Sequence, residues 1–309
     1  MIRPATPRQT TAFVLVSLVP GATVQAATFG DGALANVAIA AMAAVAAETS
    51  VAKLRGIAPV DILRDGSGLV TAALIALALP PAVPVGIVIV GVLIAIGIGK
   101  HAFGGAGANP FNPAMVGYAA LLLSFPAALA VWPDTTGTAV DGVTGPTVLD
   151  AFKHRGGLTV ADFWTPARGF GAYTAAAWEW LNVAYLLGGT ALVATRIVDW
   201  RIPFSILASL SLVAAISYDG GSSASLGSPL FHCLSGGTML GAFFVATDPV
   251  TSPTTSRGRI YYGVLIGVSL FAIRTASTYP DGIAFAVLLG NAAAPLIDRA
   301  VNQRTAGAA

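Results

Sequence analysis

The chain has 309 residues, of which 55% are hydrophobic and 10% charged, with a mean hydropathy of +0.77 and a net charge of +2. A soluble domain carries about 25% charged residues, and a water-soluble core cannot absorb this much apolar surface, so the composition points to an all-α membrane protein with most of its mass in lipid. The basic residues are spread too thinly for a nucleic-acid stripe, and the single cysteine, Cys233, excludes an intrachain disulfide and any multi-cysteine zinc or iron–sulfur site.

At the N-terminal end, Arg3 and Arg8 precede an apolar stretch from Ala12 to Val19, followed by Val24-Gln25-Ala26, a pattern shared with cleaved leaders. Further apolar segments come at once, so this stretch reads as the first helix of a set. Runs able to cross a ~30 Å hydrocarbon layer, whole or in two pieces, number about ten. They lie near 12–29, 33–52, 67–80, 84–99, 112–132, 173–195, 202–217, 235–247, 259–276 and 281–298. With a cytoplasmic N-terminus, Arg3, Arg8, Lys53, Arg55, Arg64, Lys100, Arg196, Arg201, Arg257, Arg259, Arg299 and Arg304 fall on the cytoplasmic side. Only Lys153, Arg155, Arg168 and Arg274 fall on the other. Twelve against four satisfies the positive-inside rule and puts both termini in the cytoplasm.

Two runs, Ser67 to Pro80 and Ser235 to Thr247, are too brief for a straight span, and each meets proline. They align without a gap at an offset of 168 residues, which pairs Ser67 with Ser235, Gly68 with Gly236, Ala78 with Ala246 and Pro81 with Pro249. The same offset sets the third run on the eighth and the fifth on the tenth. Five helices is an odd number, so the expected architecture is two inverted five-helix repeats with broken half-helices, residues 1–132 and 173–309, joined by an extracytoplasmic loop over 133–172. Broken helices at matching positions point to a site near the midplane, because irregular backbone survives there only beside protein or a cavity.

The loop contains Asp141-Gly142-Val143-Thr144-Gly145-Pro146-Thr147-Val148-Leu149-Asp150. By spacing alone this is a turn in which Thr or Asp caps a following helix. Three other blocks stand out: the run Gly104 to Tyr118, with Asn109-Pro110-Phe111-Asn112-Pro113-Ala114-Met115 at its centre; Thr247-Asp248-Pro249-Val250-Thr251; and Tyr279-Pro280-Asp281-Gly282-Ile283-Ala284-Phe285-Ala286. Taken together and in this order, the four blocks resemble the D subunit of the Rnf complex, the ion-translocating ferredoxin:NAD oxidoreductase of bacteria and some archaea. The resemblance covers nearly the whole chain. The B subunit of the sodium-translocating NADH:quinone reductase shares the architecture, but the Asn-Pro-Phe-Asn-Pro-Ala-Met run is more like the Rnf branch.

The resemblance implies a covalent FMN, joined through its phosphate to a threonine hydroxyl by a flavin transferase at the motif Asp-x-x-Ser/Thr-Gly-Ala-Thr. Asp141, Thr144, Gly145 and Thr147 match, which makes Thr147 the acceptor. Pro146 stands where the family usually has Ala and lacks a backbone N–H. A phosphodiester tether keeps the redox ring in place through turnover, so the protein need only position and tune it. Asn109 and Asn112 have two readings: caps of a following helix whose first turn holds Pro113, or amides beside the glycine run Gly104 to Gly107 that meet a second, non-covalent flavin. The related quinone-reductase subunit is thought to hold riboflavin near a matching Asn pair, and an amide both donates and accepts, as a flavin's pyrimidine edge requires.

Asp248 is read either as part of an ion path or as a cap for the turn holding Thr251, Thr254 and Thr255. Glu48 is expected at the interface, and Trp132, Trp164, Trp178, Trp180 and Trp200 in aromatic belts at segment ends. His101, His154 and His232 are too scattered for a metal site. No acid/base or nucleophilic constellation is present, so the resemblance implies a share in a redox-driven ion translocase: electron transfer coupled to Na⁺ or H⁺ movement in the bacterial inner membrane, beside the A, B, C, E and G subunits. The rival readings are a flavin-free channel or carrier of urea-transporter-like architecture, and a subunit of a complex that reduces a redox-sensing regulator. A pure channel has no use for the Asp141 to Thr147 motif.

Overall fold

A computed structural model describes residues 6–133, 144–164 and 173–306. The protein is mostly helical, and four helices are long and apolar enough to cross a membrane: α1 (Pro7–Phe29), α2 (Gly32–Leu54), α14 (Ser256–Ala276) and α15 (Ile283–Ala306, apolar through Gln303). Shorter apolar helices accompany them: α4 (Ser67–Ala78), α5 (Val85–Ile94), α6 (Pro113–Ser124) and α11 (Arg201–Ile216). At 1.5 Å per residue α4 rises about 18 Å, well short of the ~30 Å a span needs. α5 runs on as a π-helical segment, Ala95–His101. A second π-helical segment, Gly241–Val245, continues the single turn α13 (Thr238–Leu240). The chain is a membrane protein built of long apolar helices and shorter ones.

Helix starts follow local chemistry. Thr6 caps α1 through a capping box with Gln9 and has Pro7 behind it, while Asn112 caps α6 with Pro113 in the first turn. The run expected over 112–132 is not one helix. α6 ends at Ser124, Pro126 starts the short α7 (Pro126–Ala130), and the chain then extends into β1 (Val131–Pro133); proline cannot continue the hydrogen-bond ladder of α6. β1 pairs antiparallel with β2 (Thr144–Pro146), Val131 opposite Pro146 and Trp132 opposite Gly145. α8 (Val148–Lys153) and α9 (Val160–Phe163) come next.

The element order repeats. α1, α2, the short α3 (Pro59–Leu63), α4, α5 and α6 are answered by α10 (Ala176–Ala194), α11, the short α12 (Pro229–Leu234), α13, α14 and α15, each start about 170 residues after its counterpart. α1 lies along α10, α6 touches α15, and α11 packs along α14. The first contact is close enough to demand glycine: a Cβ on Gly188 would sit 1.9 Å from the Ser17 carbonyl oxygen. Backbones approach in this way where packing, not water, drives helix association.

The tryptophans correct one expectation. Trp132 and Trp178 are buried and stack with Phe29 at ring separations of 5.3, 5.2 and 4.8 Å, so they fill a cavity wall and take no part in a belt. Trp180 and Trp200 remain exposed. Trp132 lies in the hairpin opposite Gly145, and its indole packs against Trp178 of α10.

Candidate functional site

The interrupted helices separate two cavities. Thr147 lies on the wall of the first, whose volume is about 50 Å³ and which Trp132, Trp178, Tyr118, Tyr185 and Asp281 also line. The second, about 630 Å³, is lined by Lys100, Asn109, Asn112, Phe244, Thr247 and Asp248 among others. α4 passes from one to the other, Ser67, Thr71 and Leu74 facing the Asn cavity and Leu77 the Thr147 cavity. The second broken helix runs the opposite way, Gly237, Leu240 and Gly241 facing the Thr147 cavity and Phe244 and Thr247 the Asn cavity.

Within the stretch from Asp141 to Thr147, Thr144, Gly145 and Pro146 form β2, Thr147 lies just beyond it, and Asp141 lies outside the described residues. Thr147 is buried and caps α8, its Oγ1 accepting from the Asp150 N–H at 3.2 Å. The capping reading of this residue is therefore real, and it coexists with a position on a cavity wall. As packed, about 50 Å³ admits little more than water and falls far below the ~300–1,000 Å³ of typical ligand pockets. A flavin on Oγ1 does not fit inside without displacement of the surrounding side chains.

A buried ion pair organises this cavity. Arg274 Nε donates to Asp281 Oδ1 at 2.9 Å, and its terminal nitrogens donate to the His232 carbonyl (2.7 Å), the Ser235 carbonyl (3.2 Å) and Thr238 Oγ1 (2.9 Å). Asp281 Oδ2 accepts from the Gly237 N–H at 2.8 Å. The guanidinium thus collects the carbonyls freed where α12 breaks into α13, and the carboxylate takes the freed N–H. Asp281 lies in the fourth sequence block, but its partnership with Arg274, seven residues earlier, was not read from the sequence.

In the Asn cavity, Asn112 and Asn109 separate in role. Asn112 uses both ends of its amide: Oδ1 accepts from the Met115 N–H (3.2 Å), Nδ2 donates to the Val245 carbonyl (3.2 Å), and its backbone N–H donates to Asn291 Oδ1 (2.9 Å). It caps α6 and ties it to the second π-helical segment. Asn109 makes one local bond, Nδ2 to the Phe111 carbonyl at 3.1 Å, and its Oδ1 accepts none among the described residues. That leaves Asn109 with a carbonyl and an N–H free at the cavity wall. Asn291, which also donates to Tyr262 Oη (2.8 Å) and the Thr251 carbonyl (3.2 Å), went unnoticed in the sequence.

Asp248 lines the same cavity, and its carboxylate accepts from the Val250 N–H (3.1 Å) and Thr251 Oγ1 (3.3 Å). Thr254 and Thr255 belong to a different cap, Asp298, at 2.8–3.2 Å. Glu48 departs from its expected interfacial place. It is 2% exposed, and its Oε1 accepts from Lys100 Nζ at 2.5 Å. Lys100 is itself 3% exposed and donates to Ser67 Oγ at 2.6 Å. The available signal was an acid inside one apolar run and a base directly at the end of another, since such residues face the bundle interior and pair.

At the neighbouring turn, Asp199 is bound by Arg259 (2.6 Å) and Arg201 (3.1 Å). Partial burial raises its pKa, but the Arg201 N–H and the two guanidinium groups outweigh that and hold it below the usual carboxylate value.

The model of the NQR2, RnfD, RnfE family matches residues 3–307. The chain is 44% identical to the D subunit of the ion-translocating oxidoreductase complex of Cellvibrio japonicus, over 95% of this chain and 89% of that one. It is 42% identical to the subunit of that name from Vibrio cholerae serotype O1, over 96% and 93%, and 43% identical to that of Pseudomonas aeruginosa, over 95% and 90%.

Proposed function

The chain belongs to the NQR2, RnfD, RnfE family, and from that premise we propose that it is the membrane flavoprotein subunit of an Rnf-type complex that couples electron transfer to ion translocation. The names of its relatives support this reading, since each is the D subunit of an ion-translocating oxidoreductase complex. In this proposal electrons pass between ferredoxin and NAD through the complex while Na⁺ or H⁺ crosses the bacterial inner membrane. The A, B, C, E and G subunits are the partners, and both termini face the cytoplasm.

The observation that carries the proposal is the Asn cavity. Its volume of about 630 Å³ lies within the range of pockets that hold cofactor-sized ligands, and Asn109 offers an uncommitted amide edge on its wall. A non-covalent flavin, riboflavin in type, is the proposed occupant. Thr147 is the proposed site of covalent FMN, with the hydroxyl of the Asp141, Thr144, Gly145 motif as the ester oxygen; the hairpin and α8 move aside to admit the ring. Bound flavin supplies one-electron and hydride chemistry, and this chain's residues hold, orient and shield it.

The antiparallel passage of the two broken helices between the cavities supports two inverted repeats, residues 1–132 and 173–309, flanking a flavin-bearing loop over 133–172. Ten membrane-embedded helical segments, five in each half, complete that architecture. The test is in-gel fluorescence of the denatured subunit co-expressed with a flavin transferase. Wild type should fluoresce and Thr147→Ala should not. Fluorescence that survives Thr147→Ala moves the bond elsewhere, and none in wild type favours a flavin-free carrier.

A further inference from the structure

The Glu48–Lys100 pair has no part in the reading above, although two charges buried among membrane helices are costly and mark functional places. Its geometry is asymmetric. Lys100 lines the Asn cavity and Glu48 does not. An ammonium has three donors. One goes to Glu48 Oε1 and one to Ser67 Oγ, whose hydroxyl donates to Asp65 Oδ1 at 2.9 Å. The third is uncommitted among the described residues, and Lys100 is the one cationic side chain among the described residues lining that cavity. The π-helical segment Ala95–His101 aims it there: the extra residue rotates the chain beyond it by about 100° relative to an α-helix.

We propose that Lys100 binds the redox ligand of the Asn cavity and compensates the negative charge that arrives when that ligand is reduced. The inference rests on the flavin reading of the cavity. Glu48 and Ser67 hold the ammonium, and its third N–H donates to an acceptor on the ligand's ring edge. The pair is neutral as a unit, and the carboxylates of Asp65 and Asp248 also line the cavity, so Lys100 is the group on that wall, among the described residues, that favours added negative charge. The cation is the nearer member, so added negative charge on the ligand is attracted more by Lys100 than repelled by Glu48. No proton changes hands in this role.

The experiment uses the assembled complex. Lys100→Met alone strands a buried carboxylate and is expected to misfold, so the pair is removed together as E48L/K100M, with K100R as the charge-conserving variant. Covalent flavin, acid-extractable flavin and the midpoint potential of the extractable flavin are measured in each. In E48L/K100M the covalent flavin should remain, and the reduced fraction of the extractable flavin at a fixed potential should fall at least tenfold, about 59 mV for a one-electron couple. K100R should stay within threefold of wild type. Loss of the extractable flavin from E48L/K100M with retention in K100R also supports the contact. A retained flavin with unchanged potential overturns the role of Lys100 and leaves the cavity reading standing. No extractable flavin in wild type overturns both.

Discussion

The two asparagines of the Asn cavity should respond differently to the same substitution. Asn112→Leu removes the cap of α6 and strands the buried Val245 carbonyl. Loss of the cap costs about 1 kcal/mol and the unsatisfied carbonyl about 1–3, so the fold should weaken by about 2–4 kcal/mol. Asn109→Leu removes one local bond to Phe111 and should cost about 1 kcal/mol or less. For the cavity's ligand the order reverses. Asn109 loses a free amide edge, and an acceptor or donor left unpaired on a bound flavin lowers affinity tenfold or more. The assay is extractable flavin per chain together with the unfolding midpoint in detergent. The reasoning fails if Asn109→Leu keeps its flavin at wild-type affinity, or if Asn112→Leu unfolds at the wild-type midpoint.

Arg274→Met should destabilise the protein by about 3–5 kcal/mol, since Asp281 is left buried and unpaired and the carbonyls at the α12–α13 break lose their donor; R274M/D281L should recover part of the loss. Thermal unfolding of the purified chain checks both. Asp199 has a folded pKa below its usual value, so its contribution is complete above that value and disappears as pH falls through the lower one. Asp199→Asn should therefore lower stability near pH 7 and flatten the fall in stability below about pH 4. Cysteines placed at Thr138 and Thr305 should react with an impermeant thiol reagent from opposite faces of the membrane; labelling from one face refutes the topology.

Much of the fold was legible because lipid leaves few choices. Of the apolar runs of 18 or more residues, four became α1, α2, α14 and α15 and the run at 173–195 became α10, while the short, proline-terminated runs became the short α4 and the α13 turn with its π-helical continuation. The break at Pro126 was also visible in principle, but a count of hydropathy alone runs across it. α3, α12 and the β1–β2 hairpin were missed because they are three to six residues long and depend on their partners for stability. Within the site, Asn109, Asn112 and Asp248 line one cavity, a juxtaposition of separate sequence blocks that only the folded chain brings about. Lys100 and Glu48 were counted as surface or interfacial charges, since sequence gives no phase for a π-helical turn. Arg274 was counted among the loop charges for the same reason: its burial follows from the backbone groups that α12 leaves unpaired, which exist only in the folded chain.

The most direct measurement is the flavin content of the purified wild-type chain, made with a flavin transferase present, divided into the part that stays on the denatured polypeptide and the part that acid extraction releases. The account predicts one FMN retained, on the peptide that contains Thr147, and one flavin released. A chain that carries neither, from a complex that still moves ions, would contradict it.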